Sequence, residues 1–376
     1  LSNYRKYWVG LNMIKGIGAA RLRAMLDFFG DVQSIWNAPA DTLRNIGLPT
    51  TVIENLIKFR SDVCLDEIFE RIQKQNIQVL IWDDDDYPVR LREINNPPPV
   101  LYVRGKISTE DEWSVAVVGT RRISPYGHQV AERIAAKLAS SGLTVVSGLA
   151  LGVDTVAHQT SLSAGGRSLA VLGSGVDRIY PSQNRALADK LIEKGALISD
   201  YAPGTPPEAN NFPPRNRIIS GLSLATVVVE AGLKSGALIT ANFALEQGRE
   251  VFAVPGNIFA PQSRGPNRLI QNGAHPLLDP QEILEILDLT RVTEQREARV
   301  VLPSNAAEAQ VFGILGHEPM HVDDVCAQAD LPIDQVIATL AFMELKGMVR
   351  QVGGMRYTAI REPGEDYTTK EESNAG

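Results

Sequence analysis

Two arginines, Arg121 and Arg122, stand in a polar turn between an apolar run and a helix-patterned segment. Two more, Arg215 and Arg217, flank Asn216 in Asn211-Phe-Pro-Pro-Arg-Asn-Arg-Ile-Ile-Ser-Gly221. A guanidinium grips phosphate with a fixed fork of donors, and an aromatic ring stacks on any base. Phe212 supplies such a ring, and Pro213 and Pro214 beside it stiffen its presentation. Cations for phosphates next to an aromatic for bases is the pairing of single-stranded nucleic-acid binders. The competing reading has Phe212 plugging the sheet edge and the arginines paired with Glu208 or Glu230.

Catalysis has less to work with. His158 follows Asp154 by four residues on one helix face, and Glu230 ends a strand. No nucleophile has an obvious base. Asp154 reads as a helix cap or arginine partner, and His158 as a helix-face hydrogen bond to a neighbouring loop. The run Asp83 to Asp86 reads as a solvated turn, because consecutive residues point their carboxylates in divergent directions. No catalytic residue, metal ligand or cofactor is assigned.

The elements that must position these groups begin with Trp113 to Gly127. Its apolar run Val115–Val118 breaks at Gly119, and Pro125 opens the helix Tyr126–Ser140. Short runs rich in Val and Ala, without alternation, are the signature of strands buried on both faces. Further runs follow at Thr144–Ser147, Ser168–Leu172, Ala196–Ser199, Ala225–Val229 and Glu250–Val254. Helical patterns separate them at Val153–Ala164, Gln183–Lys194, Arg215–Gly221 and Ala237–Gln247, with Phe212 left in the preceding loop. Ile77–Trp82 and Val100–Val103 precede the alternation. Strands alternating with helices predict a doubly wound, mostly parallel sheet, whose ligands sit at the strands' carboxyl ends. Those ends read Gly119-Thr-Arg-Arg122, Ser147 to Asp154, Gly173-Ser-Gly-Val176, Glu230 to Gly236 and Pro255-Gly-Asn257. Glycines with small polar residues on one rim, and free amides opening the helix after Pro125, predict a surface for a polyanion or a nucleotide. A dinucleotide fingerprint fails on spacing, since Gly119 is followed by Thr-Arg-Arg and no acid ends the second strand. A Walker loop fails as well, because Gly232-Leu-Lys-Ser-Gly236 lacks the adjacent Gly-Lys-Ser/Thr.

The whole chain is acidic, with 37 Lys and Arg against 44 Asp and Glu, so bulk positive charge cannot draw nucleic acid to it. A local patch must. Residues 291–376 hold 8 basic and 14 acidic groups, which weakens any DNA-binding role there. Cys64 and Cys326 are far apart without metal spacing, as in a reduced cytosolic protein. The sequence shows neither a signal peptide nor an apolar run near the ~18 residues of a membrane span, so a soluble cytoplasmic protein is expected.

Residues 1–76 predict a helical module. Ile14 to Leu26 reads as a helix-hairpin-helix turning at Gly16 and Gly18, with Lys15, Arg21 and Arg23 nearby, and Leu43 to Pro49 as a weaker copy. Such hairpins receive a phosphate or serve only as packing units. Residues 77–289 form the sheet domain and 290–306 a charged linker. The module at 307–360 has three helices (Ala307–Leu315, Val322–Ala329, Pro332–Lys346) and a hairpin, Gly347–Thr358, a winged helix in outline. Its recognition helix carries Asp330 and Asp334 where a groove reader needs cations, so protein interaction or autoregulation is expected. The tail at 361–376 is polar and expected to be disordered.

The ordered motifs resemble the DNA-processing protein A (DprA/Smf) family over roughly Ile77 to Leu278. They are Tyr87-Pro88, Pro97-Pro98 with Leu101 to Gly105, Val117 to Arg121, Ser147 to Ala150 with Gly152-Val-Asp154 and Ala157-His158, and Gly173-Ser-Gly175 with Tyr180-Pro181. Phe212 to Arg217, Glu230-Ala231, Lys234 to Ala237, Val254-Pro-Gly256, and Gly265-Pro-Asn267 with Gly273-Ala274 complete the series. The resemblance implies an extended Rossmann-like fold, flanked here by the helical and winged-helix modules. It implies sequence-independent binding of single-stranded DNA, protection of incoming strands in natural transformation, and loading of the RecA recombinase by a homodimer joined through the Rossmann-like domain. Arg121 matches the arginine of the family's basic pocket, and Phe212, Arg215 and Arg217 its phenylalanine- and arginine-rich loop. Rim and resemblance together nominate as DNA contacts Gly119, Thr120, Arg121, Ser147, Gly148, Gly173, Ser174, Phe212, Arg215, Asn216, Arg217, Lys234, Ser235, Gly256 and Asn267. Arg122 is expected to support the turn. The alternative is a nucleotide-processing enzyme of phosphoribohydrolase type using the same rim and Glu230. Glu230 to Gly236 departs from that family's Pro-Gly-Gly-x-Gly-Thr loop, which argues against it. Exposed apolar residues near Leu277-Leu278 and Ile283 to Leu287 are candidates for an interface or for core.

Overall fold

Val115, Ala116, Val117 and Val118 are all shut off from water, as an apolar run without alternation demands. In this computed structural model the described residues are 2–289, 305–316, 319–345 and 348–359. They fall into two compact units, one ending at Leu287 and one beginning at Asp288. No helix among them is long and apolar enough to cross a membrane.

The first unit is built on nine strands. They are β1 (Gln78–Ile81), β2 (Val100–Gly105), β3 (Ser114–Val118), β4 (Thr144–Ser147) and β5 (Ser168–Val171), then β6 (Gly195–Ser199), β7 (Ala225–Val228), β8 (Glu250–Ala253) and β9 (His275–Pro276). The order across the sheet is β1-β2-β6-β5-β4-β3-β7-β8-β9. From β6 to β9 every neighbouring pair is parallel, while β2 runs antiparallel to both β1 and β6. Chain order reverses at β3, which pairs with β4 on one side and β7 on the other. A crevice opens at the carboxyl ends at such a reversal. The edge strand β9 was not expected from sequence; it is two residues long, too short for a hydrophobic pattern.

Each face of the sheet carries its own core. On one, Ile218 and Ile219 of helix Phe212–Leu222 and Ala241 and Ala244 of helix Gly236–Glu246 pack on Ala116, Val118, Val171 and Val228. On the other, Leu187 and Leu191 of helix Arg185–Lys194 pack on Ala170 and Leu197. That second core runs without a break into Trp8, Leu11, Leu22, Ile35 and Leu56 of the N-terminal helices.

The expected boundary at residue 76 is therefore not a break between compact units. Trp8 meets Trp82 edge-on at 5.7 Å, and the Asn12 side chain accepts from the Tyr102 hydroxyl at 3.0 Å. Arg5 pairs with Asp84 at 2.7 Å, and Asp84 also accepts from the Ile81 amide, which gives one member of the acidic run a structural task. A short helical segment buries too little apolar surface to stand alone, and here it borrows a face of the sheet. The two hairpins form as expected, between helices Ser2–Asn12 and Ala19–Phe29 at Gly16 (φ +101°), and between Ala40–Asn45 and Thr50–Asp62 at Gly47 (φ +80°). Two of the first hairpin's three cations are engaged within the chain: Arg21 donates to the Gly16 carbonyl, and Arg23 lies 5.1 Å from the Trp82 ring centre.

In the second unit, helices Ala306–Ile314, Val322–Ala329 and Ile333–Leu345 accompany strands β10 (Met320–His321), β11 (Val349–Gln351) and β12 (Arg356–Ala359), ordered β10-β12-β11. Val311, Val325, Val336, Leu340 and Val349 form its core, and the whole is a winged helix. Asn305 caps the first helix by accepting from the Glu308 amide at 2.8 Å, one residue earlier than expected. The rest of the expected linker, 290–304, and the expected tail, 361–376, lie outside the described residues.

Candidate functional site

A cleft of about 650 Å³ opens at the carboxyl ends of β3 and its neighbours, lined among others by Gly119, Arg121, Tyr180, Phe212, Arg215 and Ser235. Phe212 is not in a loop. It begins the helix Phe212–Leu222, with Pro213 and Pro214 in the first turn, where a missing N–H removes no helical bond. The half-buried ring lies against the end of β5. A Cβ on Gly173 would come within 2.7 Å of the Phe212 Cδ1, so only glycine permits that approach. Tyr180 stands beside it, ring centres 5.8 Å apart and tilted by 37°. The exposed Arg121 guanidinium lies 5.6 Å from the Phe212 ring centre and makes no ion pair with a described residue.

Arg121 is positioned by a turn fixed on both sides. The Thr120 amide donates to the Glu230 carbonyl at 2.7 Å, and the Thr120 carbonyl accepts from the Val153 amide at 3.2 Å. The Thr120 hydroxyl accepts from the Arg122 amide at 3.1 Å. Gly152, at φ +80°, closes the contact, since a Cβ there would sit 2.3 Å from the Thr120 carbonyl oxygen.

The amides opening helix Pro125–Ser140, expected to receive an external anion, already have one. The buried Glu230 carboxylate accepts from the Ser124 amide at 3.0 Å and from the Ser124 hydroxyl, which in turn accepts from the Gly127 amide at 3.1 Å. A Cβ on Gly127 would strike the Glu230 Oε2 at 2.3 Å. The positive end of that helix is thus neutralised from within. Glu230 is held in a structural role.

The two loop arginines part company. Arg215 is 5 % exposed and donates to the carbonyls of Gly148, at 3.0 Å, and of Val171, forming the floor of the cleft. Burial pulls its pKa down to about 10, opposed by the nearby Asp154 carboxylate. Arg217 is absent from the cleft lining: it pairs with Asp200 at 2.9 Å and donates to the Asn96 and Pro214 carbonyls, each at 3.1 Å. The structure places it outside the cleft, as a brace for the loop before the helix. Neither arginine pairs with Glu208 or Glu230.

Other nominated residues also serve as scaffold. Ser147 and Ser174 are buried, their hydroxyls donating to the Val117 and Arg178 carbonyls at 2.7 Å each. The buried Asn216 ties two helices by donating to the Gly236 carbonyl at 3.2 Å. Gly148 gives its amide to Asp154 at 3.0 Å, and that carboxylate, pushed up by burial, also holds the Ala150 amide at 3.3 Å. Ser235 caps helix Gly236–Glu246, accepting from the Ala237 amide at 3.3 Å, and Lys234 beside it is exposed. Gly256 and Asn267 exchange hydrogen bonds at 3.1 and 2.9 Å, locking the loop after β8. His158 contacts the Ser168 hydroxyl at 2.7 Å on the first residue of β5, and burial pulls its pKa down to about 3, which keeps it neutral.

The cleft therefore unites Gly119, Arg121, Phe212, Arg215, Asn216 and Ser235, and adds Tyr180, which sequence reasoning did not nominate. Its signal was there, an aromatic before Pro181 and shortly after the glycines that end β5. An exposed guanidinium over one of two adjacent rings can hold a phosphate while a base stacks.

Residues 78–288 match the family model described as DNA recombination-mediator protein A, and residues 295–355 match that of the DprA winged helix domain. Protein Smf of Synechocystis sp. is 35% identical, over 93% of this chain and 98% of its own length. Protein Smf of Escherichia coli is 41% identical, over 75% of this chain and 78% of its own. The X-ray structure of DNA processing protein A from Streptococcus pneumoniae superposes with a TM-score of 0.66 at 33% identity, covering 74% of this chain and 97% of that one. DNA processing protein A of Helicobacter pylori, a structure described for its single-stranded DNA binding mode, superposes with a TM-score of 0.51 at 30% identity, covering 56% and 95%.

Proposed function

This chain belongs to the DNA recombination-mediator protein A (DprA/Smf) family, and from that premise we propose that it binds single-stranded DNA without regard to sequence and holds it for recombination. One observation carries the reading: the free Arg121 guanidinium set over the Phe212 ring, with Tyr180 alongside, at the mouth of the switch-point cleft. Rings stack on every base, and Arg121 takes a phosphate that every nucleotide has, so the site has no means of choosing a sequence. The single-strand binding of the Helicobacter pylori relative supports the same reading.

Protection of incoming strands in natural transformation, loading of the RecA recombinase, and a homodimer joined through the Rossmann-like domain extend the proposal. The recombination setting is supported by the family's description as a recombination mediator, and the other parts by the resemblance of the sequence motifs alone. The protein acts in the cytoplasm, and it acts by binding rather than by catalysis. The carboxylates nearest the cleft, Glu230 and Asp154, are both buried and spent on backbone amides, which speaks against a phosphoribohydrolase.

The test is a titration of labelled oligo-dT against thymidine monophosphate, with release of free base measured in parallel. A strand bound far more tightly than the mononucleotide, with no base released, is the expected result. Tight mononucleotide binding with base release, abolished in Glu230→Ala, would establish the enzyme instead.

A further inference from the structure

The cleft does not account for every group that the rim exposes. The turn after β8 carries Ile258 and Phe259, which are 71 % and 82 % exposed. Phe259 is the most exposed of the large apolar residues described. It is rigidly held: its amide donates to the Asn257 side chain at 2.9 Å, the Ala260 amide donates to the Asn257 carbonyl at 2.9 Å, and the Gly256–Asn267 exchange anchors the base. Ile258 and Phe259 together, held out in water by the turn's hydrogen bonds, offer an apolar surface to a ligand.

Its neighbours indicate which one. The turn is wired to the loop Glu230–Gly236, the Ala231 amide donating to Gln262 at 2.7 Å and the Gly265 amide to Ala231 at 2.8 Å. That loop's Ser235 and Gly236 line the cleft, so the cleft and the Phe259 turn share a wall. Lys234 on the wall and Arg264 beyond the turn are exposed and make no ion pair with a described residue. Tyr126, 48 % exposed, reaches the turn from the other side, its hydroxyl donating to the Pro255 carbonyl at 3.0 Å. Aromatics interleaved with free cations, continuous with the cleft, repeat the chemistry of Phe212 and Arg121. Two cations without an ion-pair partner among the described residues fit a ligand that carries phosphates.

We propose that the turn at Phe259, with Tyr126, Lys234 and Arg264, is a second base-stacking station for the same single strand. This rests on the single-strand reading of the cleft and adds a direction of travel along the rim, from β5 toward β8. Phe212 sits at the end of β5 and the turn at the end of β8, four strand steps apart. At about 4.8 Å per step the stations are about 19 Å apart, a distance a stacked strand of about six nucleotides covers.

Affinities for dT4 and dT12 should be measured by anisotropy for wild type, Phe259→Ala, Phe259→Trp and Phe212→Ala. A strand of four reaches one station and a strand of twelve both. Phe259→Ala should weaken dT12 at least about fivefold, the lower bound for one lost stack, and leave dT4 unchanged. Phe259→Trp should restore dT12, because any flat ring serves. Unchanged dT12 binding in Phe259→Ala beside a clear loss in Phe212→Ala would overturn the second station and leave the cleft reading standing. Full affinity in both variants would overturn both. A change of sedimentation mass in Phe259→Ala without loss of dT12 affinity would make the turn a protein contact and end the proposal.

Discussion

Arg121 and Arg215 both lie near the Phe212 ring but in opposite settings: one is exposed, the other is buried. Their substitutions should separate accordingly. Arg121→Ala should weaken oligo-dT binding and reduce the slope of log K against log salt by about 0.7, one phosphate contact on a single strand, with little change in melting temperature. Arg215→Met strands two buried carbonyls and should destabilise the fold by about 2–4 kcal/mol, seen as a lower denaturation midpoint. His158 adds a pH signature. Its pKa falls from 6.5 to about 3 on folding, so the unfolded chain takes up a proton that the fold refuses. Its contribution to stability is complete above about pH 6.5 and is lost progressively as pH falls toward 3. Asp154, raised by burial, has the opposite sign and penalises the fold as its carboxyl ionises. His158→Gln should therefore flatten the acid limb of stability below pH 6.5, measured as urea midpoints between pH 4 and 8.

The strands and most helices were legible because their signals are local: β4 coincides with its predicted run, and the helix from Val153 starts where its pattern does. Phe212 was legible as an aromatic beside cations but not as a helical residue, because Pro-Pro reads equally as a loop and as a helix's first turn. What sequence could not supply was tertiary partnership. Glu230 holds Ser124, the N-cap of a helix, 106 residues before it, and Arg217 pairs with Asp200. No spacing rule connects such residues, so neither the filled helix start nor the internal pairing of Arg217 could be read from sequence. The cap has a measurable size. Glu230→Ala should lower stability by about 1–2 kcal/mol by releasing the start of helix Pro125–Ser140, and should lower strand affinity only through the displaced Arg121 turn.

At the scale of the molecule, the first unit is one compact body in which the N-terminal helices complete a face of the sheet. A chain beginning at residue 77 would leave Val79, Trp82 and Tyr102 uncovered and should expose apolar dye-binding surface, whereas a chain ending at residue 289 should fold and bind oligo-dT within about threefold of the full chain. The near-equal affinity is expected because helix Ile333–Leu345 of the second unit exposes Ile333, Ile337 and Phe342 and carries Asp334 in its first turn, a surface poorly suited to phosphate. The proposed single-strand site lies at the switch point of the first unit, and the affinity of Phe212→Ala for oligo-dT tests this most directly. A loss of about 1–3 kcal/mol at unchanged melting temperature is the expected result, the range for one base–aromatic stack. Wild-type affinity in that variant would contradict it.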